Sequence, residues 1–160
     1  MLCGTANASL IGQQLTFECT NCAPPFSEPF IVTEGLGPEL SFFDAVTIDV
    51  EASSLRLDWI FNTNSLIEDL NFVWHDLVWS GPGKIVGATV DQSSTWGADI
   101  VPVFSENSLS ITNNGDSSVS VGDFMLIHFE VRHDIPVPLP LALLGLGLAG
   151  LGLARRCRKG

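Results

Sequence analysis

The sequence predicts an all-β chain, an antiparallel β-sandwich of jelly-roll-like type, followed by a single C-terminal transmembrane helix. Three observations carry this expectation. Short stretches alternate apolar and polar residues with a period of two, as in Met125, Ile127, Phe129 and Val131 against Leu126, His128, Glu130 and Arg132. Turn-forming clusters separate these stretches at short intervals, with no long helical segment between them. Finally, the apolar run from Ile135 to Ala154 has about the 20 residues needed to cross a hydrocarbon layer.

Taken in order, the chain divides into residues 1–8, 9–134 and 135–160. Met1 to Ala8 has no basic start and no apolar core, so it is not a complete signal peptide. Ala6 and Ala8, however, place small residues where signal peptidase reads them. The expectation is a cut after Ala8, with the rest of the signal lying upstream of Met1. The competing reading is an ordinary frayed terminus.

Strand patterns then follow at Gln14 to Cys19, Ala45 to Glu51, Ser54 to Phe61, Ile85 to Val90, Ser108 to Thr112 and Met125 to Arg132. Between them lie Gly35-Leu36-Gly37-Pro38, Asn62-Thr63-Asn64, Ser80-Gly81-Pro82-Gly83 and Asn113-Asn114-Gly115-Asp116, all turn chemistry. Ser65 to Leu77 is ambiguous. Leu66, Leu70, Val73 and Leu77 fall at helical spacing, and Ser65 with Glu68 could form a capping box. Asn71-Phe72-Val73-Trp74 is poor helix material, so strand and loop are expected there.

Charge divides the chain in the same way. Its formal net charge is −11, but Arg155, Arg156, Arg158 and Lys159 are four of its seven basic residues. All eighteen acids precede Pro136, where only Arg56, Lys84 and Arg132 oppose them, leaving −15. Nucleic acid is excluded as a partner class, because phosphate neutralisation needs clustered cations. The residues before Asp134 suffice to bury a core as one domain.

Catalytic and ligand motifs are scarce. There is no nucleophile elbow, phosphate loop, zinc-protease helix or dinucleotide fingerprint, and neither an enzyme nor a cofactor is expected. His75 and Asp76 are neighbours, which on a strand point to opposite faces. His128 and His133 lie far from them in sequence, and each histidine is expected on the surface or in a turn. Asp116 and Asp123 lack the carboxylate spacing of a calcium loop, so no metal site is expected. Trp59, Trp74, Trp79 and Trp96 are expected in the core or between sheets. A sugar-stacking platform would require Trp79 and Trp96 to be exposed on one face.

The tail has three parts: the proline motif Val137-Pro138-Leu139-Pro140, a span from Leu141 to Ala154 rich in Leu, Gly and Ala, and the basic end. Prolines fix φ and push the preceding residues toward extended geometry, which keeps the motif unwound and open to a protease. Gly145, Gly147, Gly150 and Gly152 give the helix a surface that other membrane helices can approach closely. The cations act as a membrane stop and mark the cytoplasmic side. A plain anchor with prolines at its start is the competing reading.

This order resembles the PEP-CTERM family of sorting signals, in its VPLPA-CTERM variant, although Leu141 stands where the variant usually has Ala. The resemblance covers about Ile135 to Gly160. It implies export through the inner membrane of a Gram-negative bacterium, where the precursor is transiently held. An exosortase-type membrane transpeptidase would cut near the motif and pass the protein to the cell surface or extracellular matrix. Exopolysaccharide is a further candidate partner.

On this reading the exported domain has a structural or interaction role. The alternatives are a carbohydrate- or calcium-binding module delivered by the same route, and an exported hydrolase. Export would place Cys19 and Cys22 in an oxidising compartment, which favours a disulfide. A straight strand would hold their Cα atoms too far apart, so Thr20-Asn21 must turn. A redox pair and a zinc site stay open beside the bridge.

Overall fold

The computed structural model describes residues 9–35, 37–62, 65–67, 71–81, 83–96, 100–112 and 117–133. These form twelve strands and no helix. Alternation sets the pattern at once: β1 (Gln14–Cys19) buries Leu15, Phe17 and Cys19, and turns Gln14, Thr16 and Glu18 outward. β4 (Val46–Val50) and β5 (Ser54–Trp59) bury Val46, Ile48 and Val50, and Leu55, Leu57 and Trp59, in the same way.

Two five-stranded antiparallel sheets result. In the first, β2 (Phe26–Ile31), β1, β7 (Asn71–His75), β10 (Leu109–Thr112) and β9 (Val103–Phe104) lie side by side. The second runs β3 (Leu40–Phe42), β4, β5, β12 (Phe124–His133) and β8 (Gly83–Val90). β6 (Ser65–Ile67) and β11 (Ser117–Val119) pair as a separate ribbon.

Register lines the buried residues into cross-strand rows. In the first sheet Phe17 lies opposite Trp74 and Trp74 opposite Leu109; in the next row come Cys19, Phe72 and Ile111. The second sheet aligns Leu40, Ile48, Leu57 and Met125, and then Val50, Leu55, Ile127 and Val90. The two inner faces meet in one core. Phe42 of β3 packs edge to face on Phe17 of β1 and on Phe72 of β7, each with ring centroids 5.3 Å apart. Such pairs add about 0.5–1.5 kcal/mol each beyond the area they bury.

The sequence reading located β1, β4, β5, β8, β10 and β12, and its choice of strand and loop for Ser65 to Leu77 corresponds to β6 and β7. The competing helical spacing groups Val73 with Leu77, and the structure separates them. Val73 faces outward, while Phe72 and Trp74 are buried. β2, β3, β9 and β11 were not anticipated. Pro29 argues against an interior strand, but β2 is an edge paired only with β1, where a missing N–H is tolerated. The other three have only two or three residues, too few to show a period.

Among the described residues no helix is long and apolar enough to cross a membrane. The expected span, Leu141 to Ala154, lies outside them, as do Asp134 and all that follows.

Candidate functional site

Both ends of the described chain lie at one end of the sheets. The Ser9 amide donates to Ser80 Oγ at 3.2 Å, and the Ser80 amide donates to the Ser9 carbonyl at 2.9 Å. Three residues on from Ser80, Gly83 is the register partner of His133, the last residue of β12. The sorting motif Val137, Pro138, Leu139 and Pro140, the membrane stop Arg155, Arg156, Arg158 and Lys159, and the cleavage residues Ala6 and Ala8 lie outside the described residues. The strand from which the tail departs is nevertheless clear: β12 sits between β5 and β8, second from the edge of its sheet.

The opposite end carries exposed apolar loops. Ile60 and Phe61 follow β5, and both amides donate to the Ala45 carbonyl, next to the β3–β4 turn that presents Phe43. Val121 joins them, because the Gly122 amide donates to the Trp59 carbonyl. Phe43 and Asp44 have φ of 51° and 52°, left-handed values that non-glycine residues seldom adopt.

At this same end Cys19 and Cys22 are disulfide-bonded, with Cα atoms 5.5 Å apart. The turn that brings them together is tied to β7: Asn21 Oδ1 accepts the Asn71 amide at 3.1 Å, and Asn71 Nδ2 donates to Thr20 Oγ1 at 2.7 Å. Cys19 is buried against Phe72 in the core rows and Cys22 is half-buried, so the bridge fastens the β1–β2 turn to the core.

His75 and His128 lie on different sheets. His75 Nε2 lies 3.1 Å from Glu18 Oε2 on the outer face of the first sheet. His128 Nε2 lies 3.1 Å from Asp91 Oδ2 on the second. His75 and His128 are both partly exposed and both sit on strands rather than in turns. His75 and Asp76 do not split to opposite faces: β7 ends at His75, Asp76 turns with φ 62°, and its Oδ2 accepts from the Thr16 hydroxyl at 3.4 Å, so both side chains reach the outward residues of β1, Glu18 and Thr16.

The sequence reading missed the Asp91 cluster. Ser93 donates to Asp91 Oδ1 twice, from its amide at 2.8 Å and its hydroxyl at 2.6 Å. These bonds, together with His128, hold the Asp91 carboxyl below its usual range. The spacing Asp-x-Ser, typical of a side chain capping its own turn, was the available signal. A second acidic group stands on the outer face of β4 and β5. Burial pushes the Asp49 carboxyl up, aided by Glu39 and Asp58 and opposed by Arg56. Arg56 reaches Asp58 through two nitrogens, at 2.7 and 2.6 Å, and lies over the Phe124 ring.

All four tryptophans are buried. Trp79 and Trp96 therefore offer no exposed platform, and the feature that would have favoured sugar stacking is not present. Asp123 Oδ2 accepts the Ser120 amide at 2.7 Å and so caps the turn into β12, while Asp116 lies outside the described residues. Among the described residues no three His, Cys, Asp or Glu side chains converge as metal ligands. No protein-family model, curated protein or solved structure matches the chain.

Proposed function

We propose that this is an exported surface or extracellular-matrix protein, a jelly-roll-like sandwich delivered by a C-terminal sorting signal, with a structural or interaction role rather than a catalytic one. One observation carries the reading: the order of the Val137-Pro138-Leu139-Pro140 motif, the apolar span and the Arg155 to Lys159 cluster. An exosortase-type membrane transpeptidase is its partner, the inner membrane holds the precursor transiently, and exopolysaccharide is a candidate neighbour at the surface.

The fold supports this reading in two ways. The described strands reach His133, and in sequence the proline motif follows from Val137. The Cys19–Cys22 bridge suits an oxidising compartment. On the catalytic side, His75 and His128 are each engaged by one carboxylate, on different sheets.

Intact-mass measurement on the surface fraction is the test. The mature species is expected to end near the proline motif, and replacing Pro138 and Pro140 by Ala should leave an uncut precursor in the inner membrane. A surface species still carrying Gly160 would refute sorting and leave a tethered β domain.

A further inference from the structure

Four strands form the edges of the two large sheets, and they are unequally protected. Unpaired edges invite pairing with other chains, which native proteins prevent with charges, prolines or brevity. β2 carries Glu28 and Pro29, β3 has three residues and β9 has two. β8 has eight residues, and Ile85 to Val90 contains neither charge nor proline.

The first part of β8 is covered. The Ile85 amide donates to the Glu106 carbonyl at 3.3 Å, and Lys84 Nζ donates to Glu106 Oε1 at 2.9 Å. Val86 to Val90 remains. The direction of its backbone follows from β12. The Phe129 amide donates to the Ser53 carbonyl, toward β5, whereas the Leu126 carbonyl accepts the Asp91 amide, toward β8. By alternation Leu126, His128 and Glu130 face β8, and Ile127 and Phe129 face away from it. Val90 and Ala88 are the register partners of Ile127 and Phe129, so their own N–H and C=O groups point outward, away from β12. Among the described residues, neither has a backbone partner on that side.

We propose that β8 pairs antiparallel with β8 of a second copy, about a two-fold axis through Ala88. An antiparallel edge is its own complement, and a two-fold pairing closes on itself. Val86 to Val90 is centred on Ala88, so this register sets Val86 of each copy opposite Val90 of the other. The wider charge distribution agrees. Before the tail the chain carries −15, which opposes contact between copies, yet two of its three cations there, Lys84 and Arg132, are register partners at this edge. Val86, Val103 and Phe104, at 44%, 60% and 39% exposure, supply apolar surface beside it. The two second sheets would join into one continuous sheet. The inference is independent of the export reading.

The test uses the full chain in detergent micelles, with Cys3 and Cys157 replaced by Ser. Amide exchange at Ala88 and Val90 is measured at low and high protein concentration, beside sedimentation. Exchange at both residues should slow about tenfold or more on concentration, and Val86→Lys or Thr89→Lys should weaken association by about tenfold or more. Exchange at Ala88 that does not change with concentration would overturn the proposal, whether or not the lysine variants fold. So would a dimer that both lysine variants leave intact, since it would form through another surface such as the apolar tail. Failure here leaves the sorting reading standing, and the reverse is equally true.

Discussion

Phe17 and Phe42 meet edge to face with ring centroids 5.3 Å apart, and this contact joins β1 of the first sheet to the edge strand β3 of the second. Phe17 also touches Phe26, Phe72 and Trp74, with centroids 5.1–5.9 Å away, and is fully buried. Phe17→Ala should therefore cost about 3–5 kcal/mol, since the ring's partners come from three other strands, β2, β3 and β7, and cannot all collapse into the space. Denaturant unfolding at constant m-value measures it. A loss below about 1 kcal/mol would mean that the inter-sheet contact is not formed in solution.

The Cys19–Cys22 bridge closes a short loop, so its contribution is modest. Loop-closure entropy for so few residues gives about 2 kcal/mol, acting on the unfolded chain. Cys22→Ser should shift the denaturation midpoint accordingly. The unchanged protein in reductant should shift by the same amount, and an unequal pair of shifts would show that Cys22 contributes by more than its sulfur bond.

Asp91 provides the pH prediction. Its carboxyl is depressed mainly by the two bonds from Ser93, with His128 adding to them. A folded value below the unfolded one stabilises the fold above the ordinary carboxylate range, and that stability is lost as pH falls through the folded value. Ser93→Ala should move the Asp91 titration upward, read directly by carboxyl-carbon NMR. His128→Ala should move it less. The reverse ranking would make the imidazole the principal cause.

Much of the fold was legible because burial and alternation coincide. β1, β4, β5, β10 and β12 each place apolar residues at every second position, and each buries that set, apart from Val131 of β12, which is half-buried. Edges were illegible for a related reason: β2 buries only Phe30 fully and β9 buries nothing, so neither was required to alternate. Cys19 and Cys22 announced a turn because a strand could not bring them together. Asp91, Ser93 and His128 are brought together by a link between β8 and β12 that no local pattern encodes.

The place of β12 has a mechanical consequence. Tension on the segment beyond His133 would be delivered along a strand bonded on both sides, to β5 from Phe124 to His128 and to β8 from Ile127 to His133. Pulling along that axis strains both ladders together, in shear, instead of peeling them apart one bond at a time. A domain held against flow at the end of β12 would resist extraction through the combined strength of two strand pairings. The bulge between Glu130 and Val131 is where the β8 ladder would yield first.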